Sequence, residues 1–395
     1  MKKLLALLLA AVMVFALAAC GGNTAPAPAE APAEEAPVEE APAEEAPAEE
    51  APAEEAPAEE APAEEEAPEV SFADVDPLAI TFNCSYNEAE TGGVLAAHFK
   101  EALEGLTEGA ITVNVAFGGT LFTPDDELDA CGDGAINMMI FGHTRHTAEL
   151  PVLCAIPDFA PESIQNAIDY FNYVLADPDA GAAIEAEAEA YGIKYLTANA
   201  GGPNYFLANF AFDGLTDLVS KSSAFGNMAP AKFEALGFTV VPVFPWDYYS
   251  AFDTGLMDAS QMDGSAMFSM SLYEVAPYWM SDGTFAAGNF ITVNLDWWDS
   301  LTDAQRAAIQ AAADDTAAFS LTFNQGEYDK LNDNLVANGV TLVEMTDEEF
   351  DAWWGAIFDS AAADAQAAAA ENGNLDAVNA VLKAAADFTG YDFQA

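Results

Sequence analysis

Few side chains in this 395-residue chain are spaced to react. Its three histidines are His98, His143 and His146, and the last two flank Arg145 where a strand is expected to end. Two imidazoles need two further ligands to hold a tetrahedral metal ion, and none stands nearby at suitable spacing. The guanidinium between them offers other chemistry, a planar fork of N–H donors that fits a carboxylate. A surface ion pair is its plainer role in so acidic a chain. No Gly-x-Ser-x-Gly elbow, phosphate loop or His-Glu-x-x-His is present. Gly132 and Gly134 lack a third glycine and precede a strand, so they are no dinucleotide fingerprint. The pattern suits binding without a metal or cofactor. A hydrolase would need a nucleophile and a base in hydrogen-bond reach.

One thiol has a defined chemistry. Cys20 closes Leu17–Cys20 (LAAC), after Lys2, Lys3 and an apolar run from Leu4 to Phe15. A basic start, a short apolar segment and small residues before a cut site make a secretory signal. A cysteine at the cut site is the lipobox signature. Residues 1–19 are expected to be removed and Cys20 to carry lipid. The run is short for a span of ~20 apolar residues. The expected location is extracytoplasmic, with the chain tethered to the outer face of the cell membrane through that lipid alone.

From Ala31 to Glu65 a five-residue unit recurs seven times, six copies of APAEE and one of APVEE. It has too little apolar surface to offset its chain entropy. Proline favours extended conformations and the glutamates repel one another. Residues 20–70 therefore read as a disordered acidic linker, with a reach on the order of 100 Å. Such a reach suits a thick wall and a single-membrane bacterium. After residue 70 the chain carries 49 carboxylates against 8 Lys and Arg, about −41 in net charge. That field excludes nucleic acid as a partner. Cys84, Cys131 and Cys154 are an odd set among apolar residues, expected as buried free thiols.

The elements that must position these groups alternate. Leu78–Cys84, Ile111–Phe117, Ala135–Phe141, Ile193–Ala198 and Thr239–Phe244 read as strands. Gly93–Gly105, Asp125–Cys131, Ile164–Leu175, Gly181–Tyr191 and Ala229–Leu236 read as helices. Alternation implies an α/β fold with mostly parallel sheets. The last hundred residues read as helical, with capping boxes at Thr302–Gln305 and Thr346–Glu349. After the second, Phe350, Trp353, Trp354 and Ile357 share one helix face and are expected in a core.

Read in order, several segments resemble the solute receptors of TRAP transporters, the DctP-like family. They are Phe99–Val115 with Gly119–Phe122 (GTLF), Gly132–Asn137 (GDGAIN) with Pro151, and Ala235–Pro242 (ALGFTVVP). Trp246–Asp258 (WDYYSAFDTGLMD), Tyr273–Val275 (YEV) and Trp298–Gln305 (WDSLTDAQ) continue the series. The resemblance spans about 300 residues. It implies a two-lobed, periplasmic-binding-protein-like fold of class II type with hinge strands and a helical C-terminal region. Lobe 1 is expected over 71–199 with a returning segment at about 288–335. Lobe 2 is expected over 200–287 with a C-terminal segment at about 336–395. It also implies a solute handed to small and large membrane subunits of the transporter. A sensor built on the same lobes is the alternative.

One departure bears on the solute. The family holds a carboxylate with an arginine, and in Asp217–Phe225 (DLVSKSSAF) Ala224 stands at that position. A second arginine of sialic-acid-type members aligns with Asn204. Arg145 aligns with another arginine of those members and is the remaining cleft cation. Tyr205, Phe206, Phe225, Trp246, Tyr248 and Tyr249 crowd the other cleft positions, each as apt for a lobe core as for a ligand. With Asn204, Asn227, Gln261 and Asn289 they suggest an aromatic-and-amide site for a neutral, zwitterionic or ring-stacked solute rather than a simple dicarboxylate.

Overall fold

The computed structural model describes residues 72–157, 163–199, 201–219, 221–225, 233–234, 237–243, 245–285 and 288–391. The expected signal segment, Cys20, the linker and Asn227 lie outside the described residues.

The chain runs β1 (Leu78–Cys84), α1 (Thr91–Leu106), β2 (Ile111–Ala116), α2 (Glu127–Gly132) and β3 (Met138–Gly142). Then come α3 (Ile164–Ala176), α4 (Ala180–Ala190), β4 (Ile193–Asn199) and β5 (Pro203–Ala208). Next are α5 (Leu215–Val219), β6 (Ser222–Phe225), β7 (Thr239–Val240), α6 (Tyr248–Asp253), β8 (Ala259–Asp263), α7 (Gly264–Ser269) and β9 (Tyr278–Phe285). The last are β10 (Asn289–Asn294), α8 (Leu295–Ser300), α9 (Asp303–Ala337), β11 (Thr341–Val343), α10 (Asp347–Asn372) and α11 (Leu375–Thr389).

Two sheets form, ordered β2-β1-β3-β10-β4 and β11-β9-β5-β8-β6-β7. In α1, Leu95, Phe99 and Leu103 recur every four residues on one helix stripe. That stripe buries against Ile80, Phe82 and Cys84 of β1, and the Phe82 and Phe99 rings meet edge to face at 5.5 Å. Strand β3 is apolar throughout because both faces are covered. Met138 and Ile140 enter the α1-side core, while Met139 and Phe141 enter the core under α3 and α4.

The sheets are mixed, not mostly parallel. β1 pairs in parallel with β2 and β3, but β10 runs antiparallel between β3 and β4, and β5 runs antiparallel to β8 and β9. The reason is connectivity. The chain leaves the first sheet after Asn199 and enters the second at Pro203, then leaves that sheet at Phe285 and returns at Asn289. These crossover strands reverse direction relative to their neighbours.

Helix α9, 35 residues long, serves both sheets. Its Ala308, Ile309, Ala312 and Ala313 join the α1-side core of the first sheet, and Leu331 and Leu335 join a core of the second. Both capping boxes form at Thr302 and Thr346 with Gln305 and Glu349. Trp353 and Ile357 bury in a core beside the second sheet with Phe206, Phe212, Phe225, Phe233 and Phe238.

The C-terminal segment does not stay with the second lobe as expected. β11 pairs with β9, but from Phe358 onward α10 and all the core residues of α11 pack into the first sheet's core. Ile357 and Phe358 point to different sides of one helix, and the alanine-rich stretch after them lets α11 approach closely. No described helix is long and apolar enough to cross a membrane.

Candidate functional site

Strands β3 and β4 both run antiparallel to β10, so β1, β3 and β4 share a direction and their carboxyl ends line one edge. Asn289 lies opposite Gly142 of β3 and Asn199 of β4, beside both crossovers. Ligand sites of open α/β sheets form at such edges. Arg145 follows β3 there, and Ser85 and Tyr86 follow β1.

The guanidinium of Arg145 is built into this rim. Its Nη1 donates to Ser85 Oγ at 2.5 Å and lies 3.5 Å from Glu127 Oε1. Its Cζ sits 4.7 Å from the centroid of the Tyr86 ring, in cation–π range. Burial pushes the Tyr86 phenol above its ordinary pKa. Glu127 is fully buried and is held by more than the arginine. Its Oε2 accepts from Asn83 Nδ2 at 3.0 Å, and its Oε1 accepts from Ser85 Oγ at 3.2 Å. His146 Nε2 lies 3.8 Å from the same Oε1. Arg145 is thus paired to a buried carboxylate while its side chain remains 29% exposed. His143 is turned inward, its Nε2 3.1 Å from the Ile156 carbonyl and its ring against Phe171. Asn199 donates to the Asn289 carbonyl at 2.9 Å, and its buried Oδ1 has no hydrogen-bond partner among the described residues.

The second sheet presents a polar set at its own crossover end. Asn204 and Asp263 are register partners there, as are Phe206 and Gln261 two residues deeper. Asn204 Nδ2 donates to Thr284 Oγ1 at 3.0 Å, Thr284 Oγ1 donates to Asp282 Oδ1 at 2.8 Å, and Gln261 Nε2 donates to Asp282 Oδ2 at 2.5 Å. Asp263 caps α7 by accepting from the Ala266 amide at 2.8 Å. Burial pushes its carboxyl up to about 6. A Cβ on Gly202, in the first crossover, would sit 2.5 Å from Asp263 Oδ2. This carboxyl therefore lies against the crossover backbone, and a side chain at 202 would have to displace it.

Asn204 thus stands at the crossover end of β5, Gln261 beside Phe206 on the neighbouring strand, and Asn289 at the start of β10 opposite Gly142, shortly before Arg145. The aromatic positions do not join them. Strand alternation turns Tyr205 to the opposite face of β5, where its hydroxyl donates to Asn332 at 3.0 Å. Tyr248 is fully buried in the same core. Phe206 and Phe225 pack in the Trp353 core, and the Phe225 and Phe233 rings stack at 3.4 Å. Tyr249 lies on the surface with its hydroxyl donated to Glu274 at 2.9 Å. Trp246 stands in a turn over Pro245–Asp247, and its side chain is outside the described residues. Ala224 is fully buried, and Lys221 Nζ rests 4.7 Å from the Phe210 ring centroid.

Sequence reasoning passed over Glu127, Asn83, Ser85, Tyr86, Asp263, Asp282 and Thr284. Glu127 follows Asp125 and Asp126 in a chain rich in acids. Its i,i+4 spacing to Cys131, on the buried side of α2, was the available signal.

Residues 82–362 match the family described as bacterial extracellular solute-binding protein, family 7 (DctP). The C4-dicarboxylate-binding periplasmic protein DctP of Rhodobacter capsulatus is 23% identical over 296 residues, 70% of this chain and 84% of that protein. A TRAP periplasmic solute-binding protein from Ochrobactrum anthropi superposes with a TM-score of 0.68 at 20% identity, over 81% of this chain and 99% of that one. One from Desulfovibrio desulfuricans, solved with bound sn-glycerol-3-phosphate, gives 0.65 at 18% identity, over 80% of this chain and 98% of that one. With the family match spanning most of the chain, two sheets joined by paired crossovers and a polar rim at each, this protein belongs to the DctP family of extracellular solute-binding proteins.

Proposed function

We propose that this protein is a non-enzymatic, lipid-anchored receptor that captures a small polar solute between its two lobes for a TRAP-type permease. What supports this reading is a polar rim on each sheet beside the crossovers, with Arg145 the one cation among their described residues. Hinged lobes that close on a ligand are a known device for burying it. The solute is not a simple dicarboxylate. Neither Ala224 nor Asn204 supplies a cation, and a buried unpaired carboxylate is strongly disfavoured.

Calorimetry over organic acids, amino acids and sugars tests this. A solute that touches Arg145 should bind tenfold or more weakly to Arg145→Ala, since losing a charged hydrogen bond costs roughly 1.5–3 kcal/mol. Tight succinate binding that survives Arg145→Ala would refute the site. Catalytic turnover of a bound solute would refute the receptor. For the anchor, Cys20→Ala should leave uncleaved precursor or release protein into the medium. A cleaved, membrane-retained variant would end the lipid assignment.

A further inference from the structure

We infer that Glu127 is a specificity-determining residue of this site: it neutralises Arg145, so the rim selects a solute with no net negative charge. This rests on the reading that Arg145 faces the solute. The distances separate orientation from charge. Nη1 is fixed by Ser85 and Glu127, and the Tyr86 ring covers one face of the guanidinium. Nε and Nη2 carry no hydrogen bond among the described residues, so an edge of the fork stays open toward the exposed side. That edge donates equally well to a carbonyl, a lactam or a carboxylate.

Charge then discriminates between them. Glu127 is fully buried, so water screens it poorly, and an anion on the open edge feels it together with the guanidinium. The opposite rim adds the acid Asp263. Glu127 cannot touch the solute. It acts through Arg145, as a hidden counter-charge that Asn83 and Ser85 keep in place. A net-neutral solute, such as a sugar, an amide or a zwitterion, escapes the repulsion that a free acid meets.

The test pairs acids with their own amides: lactate with lactamide, glucuronate with glucuronamide and succinate with succinamide, by calorimetry at constant ionic strength. Glu127→Gln keeps shape and an acceptor for Asn83 but removes the charge. It should move the acid-to-amide affinity ratio toward the acid by about tenfold or more, the size expected of one poorly screened charge at this range. Glu127→Gln with Arg145→Gln should lose that gain. An unchanged ratio, or no acid binding to Glu127→Gln, overturns the inference.

A ligand-free measurement covers poor folding of Glu127→Gln. Arg145→Gln alone leaves Glu127 buried and uncompensated, so it should unfold at lower urea than the double variant. Equal or reversed midpoints also overturn the inference. Failure of the receptor reading looks different, as wild-type protein that binds no solute of any class.

Discussion

Replacing Asp263 by Asn should stabilise this protein at neutral pH and progressively less in acid. The Asp263 carboxyl, ordinarily near 3.8, is pushed up to about 6 by burial. Its carboxylate accepts from the backbone amides of Ala266 and Ser265, and Asn caps a helix about as well as Asp. The substitution therefore removes a disfavoured charge and keeps the cap. At ~1.4 kcal/mol for each tenfold in proton affinity, a rise of this size corresponds to at most about 3 kcal/mol. The side chain is only partly buried, and halving for solvent screening leaves about 1.5 kcal/mol. The folded state holds this proton more tightly than the unfolded chain, so folding takes up a proton between pH 3.8 and about 6. The group's contribution is greatest below that window, falls as pH rises through it and is gone above it. Urea midpoints of wild type and Asp263→Asn from pH 4.5 to 8 read the difference, and the many other carboxylates cancel between the two proteins. The advantage should be full by pH 7.5 and shrink to roughly half at pH 4.5. Lower stability of Asp263→Asn at pH 7.5, or an advantage that does not shrink in acid, would refute the reasoning.

The crossover contact gives a coupled expectation. Gly202→Ala would place a Cβ 2.5 Å from Asp263 Oδ2 and should destabilise the fold, and Asp263→Ala in the same chain should recover part of that loss. Strict additivity in a double-mutant cycle would mean the two do not touch. In the second sheet's core, Trp353 meets Phe206 at 5.1 Å between ring centroids and is nearly inaccessible. Trp353→Ala should cost about 3–5 kcal/mol by urea unfolding. A loss below ~1 kcal/mol would mean that α10 does not hold that core together.

Much of this protein was written in local pattern. The four-residue recurrence of Leu95, Phe99 and Leu103 declares α1. Thr302 and Thr346 mark two helix starts because a capping box closes within three residues, with no help from the rest of the chain. The ordered family segments were legible for the same reason, as runs of neighbouring residues. What a strand faces was not. Residues Asn204–Leu207 are buried on both sides of β5, so alternation alone left it open that Asn204 joins Thr284 while Tyr205 turns to a core. The fate of the C-terminal segment was equally hidden, since Ile357 and Phe358 are adjacent apolar residues that enter different cores. Glu127 was beyond sequence altogether. Its burial depends on Asn83, 44 residues earlier, and on Arg145 from another strand end. A carboxylate among dozens acquires a role only when the tertiary fold removes it from water and places a guanidinium beside it.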